Sequence, residues 1–347
     1  MKRNTFLLLL LTAALTSLAQ KKLPSVQLVA EGTKTSIRGL SVVNNFVVWA
    51  SGSNGTVGLS ANGGKDWKWM KVKGFEKADF RDIEAFDAHT AVIIAVGEPA
   101  YILRTRDAGE SWELVFEDKT KGMFLDAMEF WNKNEGIVIG DPIDGRVYVA
   151  VTKDGGQTWK PTPYEERPIA DSGEAFFAAS GTNIRAVDNS KAVIVSGGVV
   201  SNLFINNQKI NVPIVQGKET TGANSIAVWH RYKKKGADHF VVVGGDFNSD
   251  SSSYKNCVYS TDRGRTWKPS AVPPKGYRSC VEYLAEKQLV TCGLTGVDYS
   301  FDGAKTWQPI STQSFHVVRI AKNGTAVFLA GTNGKIAKLV FDKKRAN

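Results

Sequence analysis

Ser260-Thr261-Asp262-Arg263-Gly264-Arg265-Thr266-Trp267 is one of five copies of a single phrase: a small residue, an Asp or Asn two positions on, a glycine, and a closing tryptophan. The others run from Ser60 to Trp67, Thr105 to Trp112, Thr152 to Trp159 and Ser300 to Trp307. The phrase has a physical reason. The side chain of Asn62, Asp107, Asp154, Asp262 or Asp302 accepts hydrogen bonds from backbone N–H groups just ahead, forming an Asx-type turn. Gly64, Gly109, Gly156 and Gly264 supply backbone angles that other residues reach only at a cost. Trp67, Trp112, Trp159, Trp267 or Trp307 then plugs the corner into a hydrophobic seam, contributing about 2–3 kcal/mol by area. Each copy is thus a rigid hairpin corner, and its recurrence predicts a fold of stacked, similar pieces. The repeated residues are architectural, so function is expected where the repeats differ.

A second landmark counts the pieces. Apolar runs end in glycine at Gly52, Gly97, Gly140, Gly197, Gly245, Gly293 and Gly331, seven in all. Four short strands per unit of this length is the pattern of a β-propeller blade. The fourth unit has Phe204-Ile205-Asn206-Asn207-Gln208 where the tryptophan corner should be, and the seventh ends before a last strand. Residues 23–30, Leu23-Pro24-Ser25-Val26-Gln27-Leu28-Val29-Ala30, form an orphan strand that would complete the seventh unit and leave no free edge. The expectation is an all-β, seven-bladed propeller of four-stranded antiparallel blades, closed by an N-terminal strand. Six blades with an irregular cap is the alternative.

The corner resembles the Asp-box repeat, S-x-D-x-G-x-T-W, of sialidases, sortilin-type receptors and photosystem II stability/assembly factor-like propellers. The match is close at Thr152–Trp159 and Ser260–Trp267. It departs at Asn62, with Asp66 where Thr is usual, and at Ala304, which stands for glycine. From residue 20 to 347 the chain most resembles the photosystem II stability/assembly factor-like propellers, in which the implied role is a scaffold assisting a membrane complex. The resemblance is specific for architecture and weak for activity, because propellers host many functions.

Residues 1–19 read as a cleavable export signal. Lys2 and Arg3 precede the apolar run Phe6 to Leu15, and Ser17-Leu18-Ala19 offers a small-residue cleavage site before Gln20. Residues 20–347 are expected to be one propeller domain, exported to periplasm or medium, monomeric and without a membrane span. The formal charge is +10, or +8 without the leader, and it is scattered except at Lys233-Lys234-Lys235 and Lys343-Lys344-Arg345. No basic and aromatic stripe points to nucleic acid. Of three cysteines, Cys280 and Cys292 would face each other across the hairpin centred on Glu286, as an optional bridge or as buried thiols, with Cys257 a third.

Aligning the blades on the starts of their inner strands puts Arg38, Arg81, Leu125, Thr182, Ala223, Arg278 and His316 at one level. Gly39, Asp82, Asp126, Asn183, Asn224, Ser279 and Val317 occupy the next. A slip of one residue in such an alignment would turn the side chains away. The candidate ligand-binding rim is Arg38, Arg81, Asp82, Asp126, Asn183, Asn224, Arg278 and His316, with Glu174 from an insertion. Arginine suits it to a carboxylate or other anion. The alternative is solvated hairpin ends whose charges pair locally. The insertion Asp171–Ser180 is apolar and reads as a packed lid. The loop with Asp246, Asn248 and Asp250 reads as an Asx-rich turn rather than a calcium loop, since Ser251 and Cys257 occupy the positions of its Gly and Glu.

The expected function is therefore a non-catalytic scaffold for a protein partner or an anionic glycan or carboxylate ligand, with no cofactor and no metal. The alternative is a sialidase-like glycoside-processing enzyme. Arg38, Arg81 and Arg278 would then be its arginine triad, Asp82 or Asp126 its acid and Glu174 its base. Against it, Ile37-Arg38-Gly39 stands where sialidases carry Arg-Ile-Pro. His89, His230, His239 and His316 are spread without metal-ligand spacing.

Overall fold

The computed structural model describes residues 22–188, 191–205, 208–229 and 237–342. Residues 1–19, read above as an export signal, Asn206-Asn207, His230, the lysine run at 233–235 and the basic cluster at 343–345 lie outside the described residues. The chain forms seven four-stranded antiparallel blades. Their inner strands are Ile37–Val42, Asp79–Ala85, Leu125–Phe130, Ile184–Ala186, Thr221–Trp229, Cys280–Ala285 and Val317–Ile320. Each inner strand touches the next around the circle, and the last touches the first. The ring closes as expected: Ser25–Ala30 pairs with Ile336–Val340, Ser25 opposite Val340 and Leu28 opposite Ala337. The first and last described strands thereby share one blade, with Ser25–Ala30 as its outer strand and Ile336–Val340 paired on both sides.

Blades are held face to face by apolar side chains. Val48 and Ala50 of the first blade share a core with Val290 and Tyr299 of the sixth and Val317 and Leu329 of the seventh. The tryptophan corners close the outer pairs of strands. In Thr152–Trp159 the Gly156 amide donates to Thr152 Oγ1 (2.9 Å), and Asp154 Oδ1 accepts the amides of Gln157 (3.0 Å) and Thr158 (2.9 Å). Gly156 has φ +79°, and a Cβ there would press on Val92 at 2.8 Å. The first corner keeps the geometry with reversed polarity: the Asn62 amide donates to the Asp66 carboxylate (2.7 Å), so Asn62 and Asp66 exchange the roles of Asp and Thr. In the fourth blade Asn202–Ile205 and Gln208–Asn211 pair directly in place of a corner.

The insertion does more than cover a face. Glu174–Ala175 pairs with Gly197–Gly198, and Gly197 pairs on to Gly222 of the fifth blade. The chain then crosses the central channel. Ser180 Oγ donates to the Ser279 carbonyl of the sixth blade (2.7 Å). Arg319 of the seventh donates to the carbonyls of Ser180 (2.9 Å) and Gly181 (3.2 Å). The Ile226 amide of the fifth donates to Thr182 O (2.9 Å). Gly181, at φ +61°, lies so close to Asp82 of the second blade that a Cβ would collide with its carboxyl. Residues 178–183 are buried. A segment gripped from so many sides at once sits on the ring axis, and it divides the channel into two mouths.

Candidate functional site

The mouth at the starts of the inner strands is built by a repeated irregularity. The ladder skips one residue between Ile37 and Gly39, Phe80 and Asp82, Leu125 and Ala127, and Ala223 and Ser225. The extra residues in these β-bulges are Arg38, Arg81, Asp126 and Asn224. Ser279 and His316 hold the same place before the first paired residues of their strands, donating their amides to the carbonyls of Cys292 and Ala330. In the fourth blade Thr182 holds it, since the Asn183 carbonyl already accepts the Val195 amide. The ring at this level is therefore Arg38, Arg81, Asp126, Thr182, Asn224, Ser279 and His316, with Asn183 one residue further along its strand. Leu125, Ala223 and Arg278 fall one residue early, because aligning on strand starts ignores the bulge.

Arg278 departs most from the expected rim. Its guanidinium lies buried against Asp298, with Nε 2.8 Å from Oδ2 and Nη2 closing the fork. Nη1 donates to Tyr277 O (2.9 Å) and Thr295 Oγ1 (2.8 Å). It holds the sixth blade together and is not offered to a ligand. Glu174 is likewise internal: it accepts the Asp171 amide (2.7 Å), Asn202 Nδ2 (3.0 Å) and the Ser196 hydroxyl, locking the insertion. Asp82 comes just after its bulge and turns to the plug, where it accepts the amides of Ile83 (2.9 Å) and Met128 (2.8 Å). Burial pushes its carboxyl up to about 7, against the pull of Arg319. Asn183 donates to Phe177 O (3.4 Å), and Asn224 accepts the Tyr277 hydroxyl (2.6 Å), so both act as local braces.

Arg38, Arg81 and His316 do converge, with Asp126 below. Arg81 Nε pairs with Asp79 (2.8 Å), and its guanidinium lies 6.0 Å from the Phe124 ring centre. Arg38 is half-buried and donates only one long bond, to the Ala179 carbonyl of the plug (3.4 Å). Burial, then Arg81, disfavours its charge. His316 is held down to about 3 by burial and then by Arg38 and Arg81, so it is neutral and shares a 3.3 Å contact with Ser36 Oγ. Asp126 is buried, and its carboxyl is pushed well up by desolvation and then by Asp141, with Arg81 opposing. The amides of Ala178 and Asp141 face it without reaching hydrogen-bond geometry. The sequence reading missed the aromatic margin: Phe177 meets Phe247 edge-on at 5.7 Å, and Phe247 meets Tyr277 at 6.4 Å. Phe247 is 39% exposed, an apolar side chain in a polar loop that carries the only such signal there.

The opposite mouth, at the strand ends, was missed altogether. It is a cavity of about 730 Å³. Its floor is a charge network in which Arg185 reaches Glu129 (3.6 Å) and Glu282 (3.2 Å), and Lys322 pairs with Glu84 (2.6 Å). The signal lay in the strands: Glu84, Glu129, Arg185, Glu282 and Arg319 each interrupt an otherwise apolar inner strand at corresponding positions.

Residues 258–269 match the BNR/Asp-box repeat family. The chain is a β-propeller that carries a match to the Asp-box repeat in its fifth blade. No curated protein matches it in sequence. Among solved structures it is similar to YCF48 bound to a D1 peptide, with a TM-score of 0.63 at 16% identity over 92% of this chain and 100% of that one. It is similar to YCF48 from Cyanidioschyzon merolae, with a TM-score of 0.65 at 16% identity over 91% and 99%. Virginiamycin B lyase from Staphylococcus aureus also superposes, with a TM-score of 0.64 at 12% identity over 92% and 100%. Likeness at this identity is likeness of fold, and the fold carries both binding proteins and enzymes.

Proposed function

We propose that this propeller is an exported, non-catalytic scaffold that holds a carboxylate-bearing segment of a protein partner at the strand-start mouth. Arg38 carries the reading. It is a half-buried guanidinium, aimed across the channel, with no carboxylate within ion-pair distance among the described residues. A cation in that state gains most from an incoming anion, and its planar fork suits a carboxylate. Arg81 stands beside it as a second positive group, neutral His316 adds a hydrogen-bonding ring, and Phe177 and Phe247, backed by buried Tyr277, give an apolar margin for neighbouring side chains. Under this reading the plug is the floor against which the segment ends. A propeller of the same shape solved with a bound peptide supports the class of ligand. Of the carboxylates a sialidase-like reading would need, Asp82 and Glu174 are committed to internal hydrogen bonds and Asp126 is fully buried below the arginines, which favours the scaffold.

Fluorescence anisotropy tests this with a library of short peptides in paired forms, free C-terminal carboxylate and amide. Wild type is expected to bind a subset of the free acids, weakening with salt as an exposed ion contact should. Arg38→Ala is expected to lose at least about tenfold in affinity, equivalent to about 1.4 kcal/mol. Equal binding of acid and amide forms, or an Arg38→Ala variant that binds as wild type does, refutes it.

A further inference from the structure

The plug separates the strand-start mouth from a second, differently built site. The strand-end cavity, at about 730 Å³, falls in the size range of small-ligand pockets. Its charges cancel. Arg185, Arg319, Lys322 and Lys133 line it, and so do Asp82, Glu84, Glu129 and Glu282. The pairs are made within the floor: Arg185 with Glu129 and Glu282, Lys322 with Glu84, and Arg319 on the carbonyls of Ser180 and Gly181. An ionic ligand would meet little net field, and displacing a partner from such a pair would strand a part-buried charge. A wholly apolar ligand would strip water from the same groups and return no hydrogen bond.

A polyhydroxylated neutral ligand has neither difficulty. Each hydroxyl both donates and accepts, so it can join a carboxylate to a guanidinium without parting them. The walls supply the other half of the recognition. Trp131, half-buried on the turn after the third inner strand, is fixed by its indole N–H donating to Lys191 O (3.0 Å). Trp229, half-buried at the end of the fifth inner strand, is backed by the buried ring of Tyr283, their centres 5.7 Å apart. These faces match the C–H faces of sugar rings, while the floor matches their hydroxyl edges. We infer that the strand-end mouth binds a neutral oligosaccharide, independently of the carboxylate site at the other mouth.

Isothermal titration of the mature protein with cellotetraose, chitotetraose, maltotetraose and mannotetraose, at low and high salt, tests the inference. A tetramer of uronic acid serves as the charged comparison. At least one neutral tetrasaccharide is expected to bind saturably with an affinity indifferent to salt. Hydrogen exchange should then slow in residues 128–133, 282–285 and 319–323. Trp131→Ala is expected to lose at least about tenfold in affinity, Trp131→Phe to keep most of it, and Arg38→Ala to bind sugar as wild type does. The phenylalanine variant and the exchange map guard against a misfolded alanine variant. The inference is overturned if none of the four neutral sugars binds, if only the uronic acid binds with steep salt dependence, or if protection falls at the strand-start mouth. Loss of sugar binding by Arg38→Ala would overturn the independence of the two sites.

Discussion

Arg278→Ala and Arg38→Ala remove the same side chain from neighbouring levels of the channel, yet they should differ several-fold in cost. Arg278 and Asp298 are each 1% exposed in their side chains. Truncating the arginine removes both limbs of the fork and the bonds to Tyr277 O and Thr295 Oγ1. The buried Asp298 carboxylate then keeps one long contact, from the Lys275 amide (3.4 Å). Breaking a buried pair in this way costs about 3–5 kcal/mol, a large share of the ~5–15 kcal/mol that holds a typical domain folded. At about 2 °C per kcal/mol for a chain of this size, Tm should fall by roughly 6–10 °C. Arg38 gives up a single 3.4 Å bond and no ion pair, so its loss should cost under about 1 kcal/mol. Urea titration at neutral pH measures both variants, with equal m values showing that the unfolded state is unchanged. The double change Arg278→Met with Asp298→Leu should recover most of the loss, because it removes the stranded charge as well as its partner. If Arg278→Ala falls within about 1 kcal/mol of Arg38→Ala, the pair is not buried as described, and Arg278 is again free to bind a ligand.

Trp159→Ala should cost about 3–5 kcal/mol in the same titration, since the ring is buried and meets Phe130 edge-on at 5.9 Å. A loss near zero would mean that the corner tryptophan does not seal the blades. Asp82 gives a pH signature. Its folded value of about 7 lies above the ordinary 3.8, so the native state keeps a proton that the unfolded chain releases. Its contribution is fully present below about pH 4 and is lost as pH rises toward 7, by as much as roughly 4 kcal/mol. Asp82→Asn cannot ionise and should flatten that part of the stability–pH curve; an unchanged slope refutes the assignment. His316 acts in the opposite sense, its folded value lying below the ordinary 6.5, so stability is full above about pH 6.5 and declines as pH falls toward 3. Arg38→Ala removes one of the charges holding it down, and the His316 ring resonances should then titrate at higher pH; a titration that stays put would place Arg38 away from the ring.

The fold was legible because its signals repeat. Five tryptophan corners and seven glycine-ended strands report the same unit several times, so an irregular copy such as Asn62 with Asp66, or Ala304 for glycine, does not break the count. The closing strand at Ser25–Ala30 came from arithmetic, one strand over and one missing. Cys280 and Cys292 do stand opposite each other, as free buried thiols. The candidate site was only partly legible, and the bulge explains why. Arg38 and Arg81 occupy the extra position in their strands, whereas Arg278 sits one residue before it, and a single step along a strand turns a side chain to another face. Nothing in Arg278 itself announces that Asp298, a residue on a different strand, will claim it.

The repeat also explains where departures from it can be functional. On the outer strands five of the seven blades present the same corner to a neighbour, so the residues there are tied to architecture. On the inner strands the constraint is only that seven side chains fit around one axis. Ala227 occupies the level of Glu84, Glu129, Arg185 and Glu282, and its small side chain leaves the fifth blade recessed. Arg185 of the fourth blade can therefore reach past it to Glu282 of the sixth (3.2 Å) while holding Glu129 of the third. Restoring a large side chain tests that geometry. Ala227→Leu should crowd the buried guanidinium and cost about 1–3 kcal/mol by overpacking, with the pairing of Arg185 to Glu282 broken. Stability equal to wild type would mean that the network does not cross the channel by way of that gap.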